Sequence, residues 1–140
     1  MANNFLKSIP THKSNAINFS LLLLRIAAGG FMFTHGYGKM IKLFNGDFAF
    51  ADPIGLGPEI SLALTVFSEI LCAFLVLIGL STRFAAIPLA ITMIVAVFVV
   101  HASHDFAKQE LGLFYLISYL VILLCGPGKY SIDALIFKNR

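Results

Sequence analysis

The pattern of hydrophobic and polar positions divides the chain into four long apolar stretches joined by shorter polar links. The apolar stretches lie at about residues 16–40, 59–80, 83–101 and 105–125. Each is close to the roughly 20 residues that an α-helix needs to cross a lipid bilayer. The pattern therefore predicts an all-α protein in which a single domain, residues 1–140, forms a bundle of four transmembrane helices.

The polar links contain residues that start and end helices. Gly57-Pro58-Glu59 suits the start of the second helix, because Pro is tolerated in a first turn and an acidic residue there favours the helix dipole. Gly126-Pro127-Gly128 ends the fourth helix. Beyond it, residues 131–137 are predicted to form a short amphipathic helix that lies on the membrane surface.

The link at residues 39–59 is the longest and is rich in Gly, Asp and Phe. Phe44, Phe48 and Phe50 suit the boundary between lipid and water. Long connections between rigid elements often carry functional residues. The link is therefore predicted to form a lid over the bundle rather than a free loop.

Composition supports a membrane protein. Hydrophobic residues make up 59% and charged residues 12% of the chain, whereas about 25% of the residues in a soluble domain are charged. The polar N-terminal segment followed by an apolar run raises the question of a signal peptide, but Arg25 interrupts the run and Ala27-Ala28-Gly29 is a poor cleavage site. We therefore expect the first helix to be retained and the lipid bilayer to be a partner of the protein.

Charges that flank the predicted helices favour one orientation. With four crossings, the N-terminus, the link that contains Arg83 and the C-terminal tail share one side of the membrane. Basic residues exceed acidic residues on that side, whereas acidic residues exceed basic residues on the other. Positive flanks favour the cytoplasmic side, so both termini are predicted to be cytoplasmic. The basic residues are scattered, which indicates no binding of nucleic acid.

Two charged residues interrupt the apolar stretches: Arg25 in the first and Glu69 in the second. A charge at the centre of a transmembrane helix costs about 3 kcal/mol, so such residues usually pair or serve a function. Their estimated depths predict an ion pair near the middle of the membrane, which either fixes the helix register or forms part of a site. Arg25, Gly29 and Gly36 share one helix face, and small residues allow close packing, so this face is predicted to point inward.

A second polar cluster is predicted at the helix ends opposite the termini. His35, His101, His104 and Glu110 would converge there in a four-helix bundle. With aromatic side chains nearby, these groups suit the headgroup of a quinone or a proton relay. The alternatives are a haem, a carboxylate–histidine metal site, or polar residues that merely lie at the membrane boundary. The ligand spacing expected for haem is absent, and no metal ligand is predicted.

Other motifs add little. Cys72 and Cys125 lie within predicted helices without C-x-x-C spacing, so they are predicted to be small buried residues rather than a redox pair. The sequence contains no phosphate-binding loop, dinucleotide fingerprint, nucleophile elbow or zinc motif. The chemistry of soluble enzymes is therefore not expected.

Five short segments resemble the DoxX family of small four-helix bacterial membrane proteins. They are Leu24–Gly30, His35–Lys39, Glu69–Cys72, Gly79–Arg83 and Gly126–Asp133. They occur in the family's order, and the similarity extends from about residue 21 to 135. The positions that match the family pattern are Arg25, His35, Lys39, Glu69, Arg83 and Asp133.

The resemblance implies a multi-pass bundle in the bacterial cytoplasmic (inner) membrane. The family takes its name from a subunit of a thiosulfate:quinone oxidoreductase, and relatives are linked to membrane redox complexes. A fold does not by itself fix the chemistry, and whether this chain catalyses a reaction is left open.

Three functional hypotheses follow from the residues and the resemblance. The first is a small subunit of a quinone-linked membrane redox complex, with quinone as the expected cofactor and haem disfavoured. Its ligand-binding residues would be Arg25, His35, Lys39, Glu69, His101 and Glu110. The second is a non-catalytic structural or assembly subunit of a membrane complex. The third is a carrier of small solutes or protons, which would use the bundle axis or a homo-oligomer as its path.

Overall fold

The structure is a computed structural model that describes residues 14–137. Within that range it is all-helical, and four of its helices are long and apolar enough to cross a membrane. They are α1 (Asn15–Phe44), α2 (Pro58–Ile78), α3 (Thr82–Val100) and α4 (Phe106–Cys125). A short helix follows, α5 (Ile132–Phe137). The predicted all-α fold with four transmembrane helices is confirmed, and α1 continues four residues beyond its predicted end at residue 40.

The four long helices form a closed antiparallel ring in which α1 packs on α2, α2 on α3, α3 on α4 and α4 on α1. We call the end that carries residues 45–57 and the turn at residues 101–105 the loop end. We call the opposite end, with the turn at residues 79–81 and α5, the terminal end. Large apolar side chains project outward from all four helices, as expected for a bundle whose surroundings are hydrocarbon rather than water.

Helices α1 and α2 approach each other closely because two glycines face α2. A Cβ atom on Gly29 would lie 2.8 Å from the backbone oxygen of Ala73, and one on Gly36 would lie 2.8 Å from Cβ of Glu69. Both glycines are buried together with Arg25, which confirms the prediction that this face points inward. The register is therefore set by backbone contact, with Gly36 directly opposite Glu69.

The centre of the bundle is packed with apolar side chains. Val76, Leu89 and Tyr119 are completely buried there, and Met32 nearly so. The hydroxyl of Tyr119 donates a hydrogen bond of 3.0 Å to the carbonyl of Ala28, so its one polar group is satisfied. This apolar layer separates the polar groups of the loop end from those of the terminal end.

A buried hydrogen-bond network holds the terminal end together. Arg25 donates to the carbonyls of Leu77 (3.4 Å) and Tyr130. Asp133 of α5, 1% exposed, accepts hydrogen bonds from the backbone N–H groups of Ser81 (2.8 Å) and Thr82 (3.0 Å). Asp133 thus caps the start of α3, although about 50 residues separate the two in sequence. These bonds fix α5 against the bundle.

Candidate functional site: a cavity at the loop end

A cavity of about 340 Å³ lies at the loop end of the bundle. It lies between α1, α2 and α3, and residues 50–54 of the loop, which we call the lid, cover it. Its walls are mostly apolar. The polar exceptions are Lys39, Ser61, Thr65, Glu69, Thr92 and His101. An apolar cavity with a few convergent polar groups is the usual form of a small-molecule site.

Lys39 and Glu69 form an ion pair at the cavity wall. The Lys39 Nζ atom lies 2.6 Å from each carboxylate oxygen of Glu69. The Glu69 side chain is only 4% exposed, whereas that of Lys39 is 32% exposed. Removing a carboxylate from water costs several kcal/mol, and a partner at hydrogen-bonding distance offsets that cost. The pair therefore keeps a charge inside the membrane domain at a place where a ligand can reach it.

Two π-helical segments flank the cavity. Glu69 belongs to the segment Phe67–Cys72 of α2, and Ala96–Val100 forms the last turn of α3 next to His101. Isolated π-helical turns inside α-helices occur frequently at functional sites. Both segments contribute cavity-lining residues, so the irregular backbone coincides with the candidate site.

His101 and Thr92 supply further polar groups from α3. The ring of His101 contacts that of His104 edge-on, with centroids 5.2 Å apart. Within the described residues, Nδ1 of His101 is buried without a hydrogen-bond partner. The Thr92 Oγ1 atom lies 2.9 Å from Oγ of Ser68, so the hydroxyl that reaches the cavity also links α3 to α2.

Asp52 fastens the lid to the start of α2. Its carboxylate accepts hydrogen bonds of 3.0 Å from the N–H groups of Leu56 and Gly57 and from the hydroxyl of Ser61. Partial desolvation acts to raise the pKa of Asp52, but the hydrogen bonds from Ser61 and the two N–H groups outweigh it, so the pKa lies below that of an ordinary aspartate. The lid is thus held against the start of α2 by the ionised carboxylate of Asp52.

The structure brings three of the six predicted ligand-binding residues together: Lys39, Glu69 and His101 line one cavity. His35 does not line it. Because successive helix residues are rotated by about 100°, the neighbour of the inward-facing Gly36 turns towards α4, and the His35 ring contacts Tyr115 edge-on with centroids 5.9 Å apart. His35 therefore lies outside the cavity that His101 lines, and their convergence on one ligand stays a prediction.

Glu110 also lies outside the cavity wall. It is exposed on α4, and its neighbour Gln109 is the residue that turns towards the helix connection, where its side-chain amide donates to the carbonyl of His101 (2.8 Å). Since α4 does not line the cavity, an α4 residue at this height has no route to it.

The predicted ion pair between Arg25 and Glu69 is wrong. Arg25 lies level with Val76 and Leu77, whose carbonyls it contacts, and Val76 is seven residues from Glu69, or about 10 Å along α2. Two physical reasons account for the error. The register is set by Gly29 and Gly36 rather than by the helix ends, and helical side chains point towards the helix N-terminus, which carries the guanidinium away from Glu69.

Sequence reasoning missed half of the polar cavity wall, namely Ser61, Thr65 and Thr92, although one signal was present. Ser61, Thr65 and Glu69 follow one another at four-residue spacing and so share one face of α2. The contribution of Thr92 from α3 had no comparable signal, because it depends on how α2 and α3 pack.

Within residues 14–137, no group of three or more His, Cys, Asp or Glu residues could hold a metal ion. No disulfide joins Cys72 to Cys125. The polar side chains that line the cavity are hydrogen-bond donors and acceptors, which suit an organic ligand with oxygen substituents.

Comparison with known proteins places the chain in a family. Residues 20–102 match the DoxX family, and a Haemophilus influenzae protein described as "Uncharacterized protein" is 33% identical over 131 residues, covering 85% of this chain and 84% of the relative. A Bacillus subtilis protein named "Putative oxidoreductase CatD" is 27% identical over 128 residues, covering 91% of this chain and 94% of the relative. No solved structure gives a significant match.

The chain belongs to the DoxX family of membrane proteins. Together with its four apolar helices, this makes it a multi-pass protein whose environment is a lipid bilayer. The family match covers α1 to α3, the helices that build the cavity, and so includes Lys39, Glu69 and His101.

Proposed function

We propose that this protein is a small subunit of a redox complex in the bacterial cytoplasmic membrane, and that its loop-end cavity binds the ring of a quinone or quinol. The observation that carries the proposal is the Lys39–Glu69 pair at the wall of a mostly apolar cavity. A flat ring with oxygen atoms on opposite edges needs apolar faces and polar contacts at its rim. The cavity offers both.

The ion pair is suited to both redox states of such a ring. The Lys39 ammonium donates hydrogen bonds, which a quinone carbonyl accepts, and the Glu69 carboxylate accepts a hydrogen bond from a quinol hydroxyl. His101 lines the same cavity and adds an imidazole to its polar groups. Lys39, at 32% exposure, retains room to move from Glu69 towards a ligand oxygen.

In the proposed reaction, this chain binds the ring and accepts a proton, and a partner subunit accepts the electrons. Oxidation of a quinol to a quinone releases two protons and two electrons. Glu69 is placed to take up one proton from the hydroxyl that it binds, and the second proton is released to water at the loop end. The electrons would pass to a flavin or metal centre on a partner subunit, with this chain holding and orienting the ring.

Two further facts support a redox role. A relative that covers nearly the whole chain is named "Putative oxidoreductase CatD". The volume of about 340 Å³ also lies within the range of about 300–1,000 Å³ that small-molecule sites occupy.

The test is copurification of native quinone. The protein is extracted gently in lipid nanodiscs, and bound quinone is quantified by mass spectrometry for wild type and for the double variant Lys39→Gln/Glu69→Gln, which leaves neither charge unpaired. Hydrogen bonds to charged groups contribute about 1.5–3 kcal/mol each, so we expect at least about tenfold less quinone in the double variant. Lys42→Gln is the control, because Lys42 is exposed and lies 3.7 Å from Asp47, outside the cavity. Equal quinone in all three proteins, or none above the lipid background in wild type, would refute the proposal.

A further inference from the structure

We infer that the ligand carries an apolar tail and enters the cavity sideways from the bilayer, between α2 and α3. This inference rests on the proposed function and adds to it a ligand class: a quinone dissolved in the membrane rather than a water-soluble ring. It also adds a portal, which we define as Leu64 of α2 and Ile91 of α3.

The portal residues face two environments. Leu64 and Ile91 line the cavity, yet they are 48% and 56% exposed at the bundle surface. Leu64 lies six residues into α2, about 9 Å from its start, and Ile91 lies nine residues, about 14 Å, before the end of α3. Both therefore lie within the membrane-spanning segments, where exposure means contact with lipid. The cavity wall and the lipid-facing surface meet at these two side chains.

Contacts between neighbouring elements hold three other sides of the cavity together. The lid covers the side that faces water, and the three hydrogen bonds of Asp52 hold it against α2. The seam between α1 and α2 is sealed where Gly36 lies against the backbone of Glu69. Towards the membrane centre, the buried side chains of Leu89 and Met93 fill the bundle.

The volume of the cavity also requires an exit for a tail. About 340 Å³ is at the lower end of the range for small-molecule sites, so the cavity holds a ring and short substituents. A longer hydrocarbon chain must leave it. The portal side chains Leu64 and Ile91 are apolar and exposed within the membrane-spanning segments, so a tail that leaves the cavity between them stays in hydrocarbon, which is favourable relative to water.

The experiment compares two ligands with the same dimethoxy-methyl-benzoquinone ring, one with a decyl tail and one without a tail. Dissociation constants are measured in nanodiscs, with the free concentration of each ligand corrected for its partition into lipid. The variants Ile91→Trp and Leu64→Trp fill the portal. Ile94→Trp is the matched control, since Ile94 lies on the same helix, is 44% exposed and does not line the cavity.

We expect both portal variants to weaken binding of the decyl ligand by about tenfold or more, as a bulky ring displaces a well-packed chain. Binding of the tailless ring should be little changed, and Ile94→Trp should behave like wild type. If wild type binds both ligands and the portal variants bind the decyl ligand normally, or lose both ligands equally, the inference is overturned and the ring site stands. If wild type binds neither ligand, the proposed function itself fails. Thermal unfolding of each variant confirms that the bundle has folded.

Discussion

The Lys39 ammonium lies 2.6 Å from both carboxylate oxygens of Glu69, on the wall of a mostly apolar cavity. The two residues differ in burial, with side-chain exposures of 32% for Lys39 and 4% for Glu69. Glu69 has lost its contact with water, so its charge needs the Lys39 ammonium nearby. Lys39 is partly exposed, so water can solvate its charge when Glu69 is absent.

Removing each partner in turn should therefore give unequal effects. Lys39→Met leaves the Glu69 carboxylate buried and unpaired, which costs about 3–5 kcal/mol in the free energy of unfolding. Glu69→Gln leaves a lysine that can extend its ammonium to the membrane surface, so its cost should be smaller. The double variant Lys39→Met/Glu69→Gln should recover most of the loss. Unfolding in mixed detergent micelles measures all three, and a Lys39→Met protein as stable as wild type would contradict the buried ion pair.

The close contact between Gly36 and Glu69 predicts a position-specific effect of a single methyl group. A Cβ atom at Gly36 would lie 2.8 Å from Cβ of Glu69, so Gly36→Ala must push α1 and α2 apart and should cost about 1–3 kcal/mol. Gly30→Ala provides the control, because nothing lies within 4 Å of the corresponding position on the same helix. Unfolding free energies of the two variants should differ clearly. Equal stability would mean that the helices do not touch at Gly36.

The hydrogen bonds at the terminal end should matter for stability and not for ligand binding. Asp133→Ala removes the acceptor for the N–H groups of Ser81 and Thr82, and loss of such a cap costs about 0.5–2 kcal/mol. The apolar layer around Tyr119 separates this end from the cavity. We therefore expect lower thermal stability with an unchanged dissociation constant for quinone at a temperature where the variant is folded. A large loss of affinity in the folded variant would show that the two ends are coupled.

The stability of the lid should depend on pH through Asp52. Its pKa is lowered in the folded protein, so the carboxylate stabilises the lid fully at pH values above the ordinary aspartate pKa, and this contribution is lost as the pH falls through the folded value. Hydrogen exchange of the Leu56 and Gly57 amides, corrected for intrinsic rates, measures how readily their hydrogen bonds to Asp52 open.

Asp52→Asn should speed that exchange relative to wild type at pH 6, and the difference should shrink as the pH falls through the lowered pKa of Asp52, where wild type becomes protonated as well. Asp47→Asn is the control, since Asp47 accepts a hydrogen bond from Ala49 within the same loop and does not contact α2. If the difference in exchange rate between Asp52→Asn and wild type stays constant with pH, the ionised carboxylate of Asp52 does not hold the lid.

The helices were predictable from sequence, whereas the site was only partly so. Long apolar runs can satisfy their backbone in a membrane only as helices, so the pattern of residues determined α1 to α4. The pairing of Glu69 could not be read from helix ends, because the register depends on Gly29 and Gly36 contacting α2. Lys39 was recognised as a candidate ligand-binding residue, but its partner was not.

The same limit applies to the start of α3. A hydroxyl such as that of Ser81 or Thr82 is the local choice for a helix cap, yet Asp133 takes that role from a distant part of the chain. Contacts of this kind depend on how α5 folds back on the bundle, which no local pattern encodes. The sequence therefore indicated which residues were polar in the interior and not which of them meet.

Photoaffinity labelling with an azido-quinone tests the central claim most directly, because it locates the ring on the chain. The protein in nanodiscs is labelled with and without excess unmodified quinone, and the modified peptides are identified by mass spectrometry. The account predicts saturable labelling of the cavity wall, in the lid and around Ser61–Glu69 and Ile91–His101, with strong reduction in Lys39→Gln/Glu69→Gln. Saturable labelling confined to the groove of Phe31 and Tyr115 between α1 and α4, or labelling that excess quinone does not reduce, would contradict it.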